Sequence, residues 1–137
     1  MRLTRRAFIQ AAGAAGGAAL SGGCLGRLAA GPMRPRRPGA QERLNVGVIG
    51  VGGRGALNLA SAYRAGENIV ALCDVDRTPV EQALAIVRER NPEAKGFSDY
   101  RKMFDACGNL DAVLVSTPDH THAPAAIRAM KMGCHVY

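Results

Sequence analysis

Residues 44–55 read Leu-Asn-Val-Gly-Val-Ile-Gly-Val-Gly-Gly-Arg-Gly. The stretch begins with mostly apolar, β-favouring residues, and its later glycines have the spacing Gly50-x-Gly52-x-x-Gly55. In a strand–turn–helix unit, the first glycine permits a tight turn, the second lets the backbone approach a pyrophosphate, and the third lets the helix pack on the strand. The helix N-terminus then directs free N–H groups and a positive dipole end at the phosphates. The pattern predicts a dinucleotide-binding turn, and Gly53 and Arg54, at the start of the helix, are expected to be cofactor-binding residues as well.

The residues after this turn fit the same interpretation. A helical pattern covers residues 54–65 and ends at Gly66, a residue type favoured at helix ends. The helical spacing is carried by Leu57, Ala60, Ser61 and Arg64. A second apolar run covers residues 68–73 and is followed by Asp74. Asp74 lies about 20 residues beyond the third glycine, the position at which a carboxylate accepts hydrogen bonds from an adenosine ribose. The alternative is a glycine-rich turn of a parallel-sheet protein that binds no ligand.

The second and third helices have recognisable starts in the sequence. Thr78 is the expected N-cap of the second helix, with Pro79 at its first position and Glu81 as the reciprocal cap. A short third strand is expected over residues 94–97. Ser98, which follows it, is the expected N-cap of the third helix.

The remaining segments complete an alternation of strands and helices. Residues 111–115 predict a fourth strand that is apolar on both faces, as a central parallel strand must be. Pro124 is expected to start a fourth helix that Gly133 closes, and residues 134–137 predict a fifth strand. Right-handed crossovers then give an α/β fold with a doubly wound parallel sheet over residues 44–137.

The net charge of +7 is confined to the first part of the chain. Residues 1–43 contain eight arginines and one acidic residue, Glu42, whereas residues 44–137 contain ten basic and ten acidic residues. The second part has few aromatic residues and no basic stripe. The high isoelectric point therefore does not indicate a nucleic-acid-binding face, and no nucleic acid partner is expected.

Residues 1–30 have the features of an export signal. Arg5 and Arg6 are followed by Phe8 and by an uncharged tract, rich in alanine and glycine, that runs to Cys24. This pattern resembles a twin-arginine signal, because a core with so few large apolar residues partitions poorly into lipid. An ordinary secretory leader and a marginal membrane helix are the alternatives. We therefore expect export to the periplasm by the twin-arginine machinery.

The end of this signal and the segment after it allow two further expectations. Residues 20–24 imperfectly resemble a lipoprotein cleavage box, which leaves a membrane anchor at Cys24 as an alternative. Residues 31–43 have no apolar periodicity and predict a flexible linker. Among the arginines of this linker lie Pro32, Pro35 and Pro38.

The cysteines and histidines do not suggest a metal site. Cys73, Cys107 and Cys134 lack metal-ligand spacing and are expected to be buried or half-buried hydrophobic residues, with a disulfide as the alternative. His120 and His122 lie in the loop after the fourth strand, where no nearby cysteine or carboxylate set completes a metal site. Polar lining near the nicotinamide end of a cofactor is their favoured role, and a solvated loop is the alternative.

Four motifs occur in an order that resembles the amino-terminal half of the Gfo/Idh/MocA family, named after glucose-fructose oxidoreductase and inositol dehydrogenase. They are the glycine turn at residues 46–55, Leu-Cys-Asp-Val-Asp at 72–76, Gly-Phe-Ser-Asp-Tyr-Arg-Lys-Met at 96–103 and Val-Ser-Thr-Pro-Asp-His-Thr-His-Ala at 115–123. The resemblance implies a Rossmann NAD(P)-binding domain followed by an α/β domain that covers the substrate and often mediates homo-oligomerisation.

The resemblance also implies a reaction and a set of cofactor contacts. The family usually oxidises a sugar or cyclitol hydroxyl by hydride transfer to NAD or NADP. Asp74 favours NAD, because a carboxylate repels a 2′-phosphate, while Arg77 nearby leaves NADP open. The matching positions are Gly50, Gly52 and Gly55 in the pyrophosphate turn, Asp74 at the ribose, and Thr117, Pro118 and His122 in the cofactor-side loop.

The family's catalytic lysine belongs to a Glu-Lys-Pro motif after the fifth strand, and the sequence ends at Tyr137, where that motif would begin. No catalytic residue is therefore assigned, and we expect these residues to be part of a longer enzyme with the substrate domain in the remainder. A short cofactor-binding protein without catalytic activity is the alternative. Two rival functions stay open: an NAD-dependent glycoside hydrolase of the same superfamily, which oxidises C3 transiently, and a non-catalytic nucleotide-binding module.

Overall fold

The computed structural model describes Gly39 and residues 42–137. The predicted export signal, Cys24 and most of the predicted linker lie outside the described residues. Within the described residues, no helix is long and apolar enough to cross a membrane.

Strands and helices alternate along the described part of the chain, as predicted. The strands are β1 (Asn45–Ile49), β2 (Asn68–Cys73), β3 (Lys95–Phe97), β4 (Ala112–Val115) and β5 (His135–Val136). The helices are α1 (Arg54–Arg64), α2 (Arg77–Val87), α3 (Tyr100–Ala106) and α4 (Asp119–Lys131). All strand pairs are parallel, in the order β3-β2-β1-β4-β5. The order reverses between β1 and β4, which confirms the doubly wound fold; the last three strands are slightly shorter than predicted.

Both faces of the sheet are covered by helices. Val46 and Val48 of β1 are buried in one cluster with Leu59 of α1. Ile49 of the same strand is buried in the opposite cluster with Met103 of α3. Because successive side chains of a strand point to opposite faces, this alternation buries apolar residues on both sides of β1. The carboxyl ends of the strands are left as the edge where a ligand can bind.

Two glycines bring three backbone segments into contact at the end of β1. Gly50 has a φ of +85°, and a Cβ at this position would lie 2.6 Å from the carbonyl oxygen of Ser116. A Cβ at Gly55 would overlap the carbonyl oxygen of Gly50. Only glycine therefore lets α1, the turn after β1 and the loop after β4 meet this closely.

Two predicted N-caps are wrong by one or two positions. Asp76 caps α2 in place of Thr78, and its Oδ1 accepts a hydrogen bond from the N–H of Thr78 at 2.9 Å. Asp99 caps α3 in place of Ser98, and its Oδ1 accepts from the N–H of Arg101 at 2.8 Å. In both cases a carboxylate replaces a hydroxyl, because negative charge also interacts favourably with the positive end of the helix.

The start of α4 also differs from the prediction. The helix begins at Asp119 and contains Pro124 in its interior. The N–H and the hydroxyl of Thr121 each donate to the carbonyl oxygen of Pro118 at 2.9 Å, which closes a first turn before the proline is reached. Pro124 therefore removes one N–H donor from an existing helix and does not mark its beginning.

Two side chains of α1 and α2 differ from their predicted settings. Leu57 is 59% exposed, while Gly55 and Leu59 are the buried residues of α1. The helical spacing that includes Leu57 therefore lies on the side of α1 that faces away from the sheet. Glu81 lies 4.0 Å from Arg77 as an exposed ion pair and is not the reciprocal cap of α2. Such an i,i+4 pair stabilises a helix only slightly.

Gly55→Ala is expected to lower the free energy of unfolding by about 1–3 kcal/mol, because the added methyl group overpacks the contact with Gly50. Urea unfolding followed by circular dichroism measures the effect. The matched control is Gly52→Ala, whose Cβ would lie 4.0 Å from Asp74 Oδ2 and should leave stability unchanged. Equal stability of the two variants would contradict the close approach of α1 to the turn.

Candidate functional site

A cleft of about 720 Å³ opens at the carboxyl ends of the first four strands. It lies where the strand order reverses between β1 and β4, the position at which open α/β sheets bind ligands. The loop after β3 and the first residues of α3, together residues 98–101, also line it. The other walls include Gly50 and Gly52 after β1, Asp74 and Val75 after β2, and Thr117 and Pro118 after β4.

Asp74 holds the glycine turn in place. Its Oδ2 accepts hydrogen bonds from the N–H groups of Val51, at 2.7 Å, and Gly52, at 3.2 Å, and its Oδ1 accepts from the N–H of Asp76 at 3.1 Å. Burial acts to raise the pKa of Asp74, but the N–H groups of these three residues and of Val75 outweigh it, so the pKa lies below its usual value. The cleft therefore has an ionised carboxylate at the end of β2.

The N-terminus of α1 begins beside the cleft without a negative charge of its own. Its N-cap is Gly53, which offers no side-chain acceptor, and the first turn contains no acidic residue. Arg54, the first helical residue, is exposed. The helix itself therefore supplies no negative charge at its positive end, which would stabilise an anionic group bound at the turn.

Thr117 contributes a buried hydroxyl to the opposite wall. No hydrogen-bond partner for its Oγ1 exists among the residues that the structure describes. The backbone carbonyl of the same residue is hydrogen-bonded to Nε2 of His122. A buried hydroxyl without a partner costs about 1–3 kcal/mol.

The structure brings most of the predicted site residues together. Those that line the cleft are Gly50, Gly52, Asp74, Thr117 and Pro118. Gly53 and Arg54 lie at the start of α1, where Gly53 borders a separate groove between α1 and α2. Gly55 is buried under the turn. His122 contacts the carbonyl of Thr117 and is not part of the cleft lining, whereas His120 is.

Sequence reasoning missed a side-chain pair that joins α1 to the loop after β4, which is one wall of the cleft. Nδ2 of Asn58, in α1, donates a hydrogen bond to Oγ of Ser116 at 2.9 Å. Ser116 could have been found as the neighbour of the predicted Thr117, at the end of the fourth strand. No local signal marks Asn58, because it lies far from Ser116 in the sequence.

The cysteines have a structural role in this part of the fold. Cys73 lines the cleft, and burial, with the nearby charges of Asp99 and Asp74, raises its pKa to about 12, so the thiol stays protonated. Burial also raises the pKa of Cys107 and of Cys134. All three are buried and free, which confirms the prediction that they are hydrophobic residues. Across Gly39 and residues 42–137, no group of three or more potential ligands is placed to hold a metal ion.

A doubly wound sheet, a glycine turn at the strand-order reversal and an acidic residue after β2 define a Rossmann dinucleotide-binding domain. The family model for Gfo/Idh/MocA, described as an oxidoreductase family with an NAD-binding Rossmann fold, matches residues 44–137. The chain belongs to this family.

Comparisons with individual proteins agree with the family. A glycosyl hydrolase family 109 protein of Saccharopolyspora erythraea is 34% identical, over 97% of this chain and 32% of its own length. Scyllo-inositol dehydrogenase from Lactobacillus casei, solved with NAD(H) and scyllo-inositol, shares the fold with a TM-score of 0.59 and 20% identity, over 69% of this chain and 27% of that one. The WlbA dehydrogenase of Bordetella pertussis, solved with NADH and UDP-GlcNAcA, has a TM-score of 0.56 and 27% identity, over 72% and 28%. The chain spans about a third of the length of the curated relatives it matches.

Asp74→Asn is expected to lower the melting temperature at neutral pH, by an amount that shrinks as the pH falls. The folded-state pKa of Asp74 is below that of an unfolded aspartate, about 3.9, so its contribution is complete above that value and is lost as the pH falls through the folded pKa. Thermal unfolding of both chains between about pH 7 and pH 3 measures this. Glu93→Gln, at an exposed position, is the control. A difference that does not change with pH would contradict the role of the ionised carboxylate.

Proposed function

We propose that this protein is an NAD-dependent oxidoreductase that acts on a sugar or cyclitol hydroxyl by hydride transfer, and that residues 44–137 supply its nucleotide-binding part. The observation that carries the proposal is the ionised Asp74 directly against the N–H groups of the glycine turn. When bound, NAD supplies the hydride acceptor. The task of these residues is to bind the dinucleotide and orient it at the strand-order reversal.

The residues of the cleft fit the chemical groups of NAD. Gly52 is exposed at the tip of the turn and packs against no backbone, so a pyrophosphate can approach it closely. The carboxylate of Asp74, at the end of β2, would accept hydrogen bonds from the adenosine ribose. Thr117 lines the other side of the cleft, and His122 holds the backbone of that loop.

Charge at the ribose position supports NAD over NADP. An ionised Asp74 would repel a 2′-phosphate at the end of β2. Arg77, the nearby cation that would favour NADP, lies 4.0 Å from the carboxylate of Glu81, and both side chains are largely exposed. The carboxylate of Asp74 is therefore hydrogen-bonded to the turn, whereas the side chain of Arg77 is exposed to solvent.

Glycoside hydrolysis is a second candidate function. It is supported by the relative from Saccharopolyspora erythraea, which is named as a glycosyl hydrolase family 109 protein and is 34% identical. In this reaction the sugar is oxidised transiently at C3 and reduced again, so no NADH is released. Both reactions need the same nucleotide-binding part, and the choice between them is a property of the substrate-binding part.

Export of the protein is part of the same proposal. The pattern of residues 1–30 supports transport by the twin-arginine machinery, which carries folded proteins. Free NAD is scarce outside the cytoplasm, so the cofactor would be bound before export and regenerated in place. A sugar or polyol is the proposed substrate, and a homo-oligomer is the proposed assembly.

Gly52→Ala is expected to weaken NAD binding about tenfold or more while the melting temperature stays unchanged, because the methyl group occupies the approach of the pyrophosphate and no space within the fold. Titration of intrinsic tyrosine fluorescence or calorimetry with NAD and NADP measures both affinities. The wild-type chain should bind NAD more tightly than NADP. Tighter binding of NADP would reverse the assignment, and binding of neither would overturn the function.

The native protein, purified after export, should release nucleotide when it is denatured. Mass spectrometry of the supernatant identifies that nucleotide, and assays with a panel of free sugars and aryl glycosides then separate the two reactions. Net formation of NADH from a free sugar indicates the oxidoreductase, and glycoside cleavage without NADH indicates the hydrolase. Nucleotide binding with neither activity would indicate a non-catalytic module and would contradict both enzyme proposals.

A further inference from the structure

The hydrogen bond between Asn58 and Ser116 joins helix α1 to the loop after β4. Asn58 lies in the second turn of α1, the helix that begins at the glycine turn, and Ser116 is the first residue after β4. Nδ2 of Asn58 donates to Oγ of Ser116 at 2.9 Å, and the pair is partly buried. The bond therefore links the phosphate turn to the loop that begins the second half of the sheet.

The backbone of Ser116 is fixed independently of this bond. Its N–H donates to the carbonyl oxygen of Ile49 at 2.7 Å. Its carbonyl oxygen packs where a Cβ of Gly50 would lie, and its Cβ is 3.3 Å from the position of a Cβ on Gly55. Because the peptide is held by these contacts, the Asn58 side chain is not needed to place the backbone. Its effect falls on the orientation of the Ser116 hydroxyl.

The direction of this hydrogen bond leaves the hydroxyl of Ser116 with a hydrogen to donate. An amide N–H₂ can only donate, so Oγ is the acceptor in the bond with Asn58. No acceptor for the hydroxyl hydrogen is found in the part of the chain that the structure describes. Ser116 also lines the cleft beside Thr117. The free hydrogen is therefore available to a ligand in the cleft.

We propose that Ser116 is a further cofactor-binding residue and that Asn58 is the positioning residue that keeps its hydroxyl as a donor. This inference rests on the proposed binding of NAD. In a doubly wound sheet the strands on either side of the reversal bind the two nucleotide halves, and Asp74 belongs to the adenosine side. The acceptor for Ser116 is therefore a ribose or phosphate oxygen of the nicotinamide mononucleotide half.

Calorimetric titration with NAD and with AMP tests the inference, because AMP contains only the adenosine half. Ser116→Ala should weaken NAD binding about five- to tenfold and leave AMP binding unchanged. Asn58→Ala should weaken NAD binding in the same way. The double variant should bind NAD as well as Ser116→Ala alone does, since the two residues act through one hydroxyl. The control is Ser61→Ala, which removes an exposed hydroxyl that donates to the carbonyl of Leu57 on the same helix.

Asn58→Asp separates this role from a purely structural one. An aspartate accepts the hydroxyl hydrogen of Ser116, so the link between α1 and the loop after β4 is kept, while the cofactor loses this donor. The proposal expects NAD binding to fall more than AMP binding. If the Asn58–Ser116 bond were only a structural link, NAD binding would not change. If the added charge alone acted, binding of the dianionic AMP would be weakened at least as much as binding of NAD.

The outcomes separate the inference from the function on which it rests. A wild-type chain that binds NAD, with Ser116→Ala and Asn58→Ala unchanged, overturns the inference and leaves the function intact. Equal losses of NAD and AMP binding, accompanied by a lower melting temperature, also overturn it. A wild-type chain that binds no NAD removes the proposed function and the inference together.

Discussion

The close contact of three backbone segments at Gly50, Gly55 and Ser116 is the constraint on which the site depends. Helix α1 can lie against the turn after β1 and the loop after β4 only because no side chain separates them. This contact places the positive end of the helix at the reversal of strand order. The same contact makes Ser116 a wall of the cleft, so the packing of the fold and the shape of the site are set by the same atoms.

Asp74 shapes the turn and also lies at the position proposed for the adenosine ribose. Its carboxylate accepts N–H groups from Val51 and Gly52, and the lowered pKa keeps it ionised. The group that would bind a ribose is therefore also the group that holds the phosphate turn. A substitution of Asp74 would therefore also remove a support of the turn and lower local stability.

The sequence predicts the fold and the centre of the site, because these depend on short-range patterns. The glycine spacing and Asp74 are such patterns, and the alternation of apolar strands with helices is another. The helix starts at Asp76 and Asp99 were missed, since Thr78 and Ser98 are comparable local candidates and the path of the chain after each strand decides between them. The spacing of residues in the sequence does not indicate the path that the chain takes after each strand.

Contacts between residues that are far apart in the sequence cannot be predicted from short-range patterns. Asn58 and Ser116 are 58 positions apart, and nothing in either neighbourhood indicates that they pair. The unpartnered hydroxyl of Thr117 likewise becomes visible only when the surrounding backbone is in place. The sequence thus predicts residues of the cleft, and the structure adds the contacts that these residues make with one another.

A crystal structure of this chain with NAD tests the central claim most directly. We expect the pyrophosphate over Gly52 at the start of α1, the adenosine ribose within hydrogen-bond distance of Asp74, and the nicotinamide half against the loop that contains Thr117. NAD bound in the groove between α1 and α2, or bound with its ribose away from Asp74, would contradict the assignment of this cleft as the dinucleotide site.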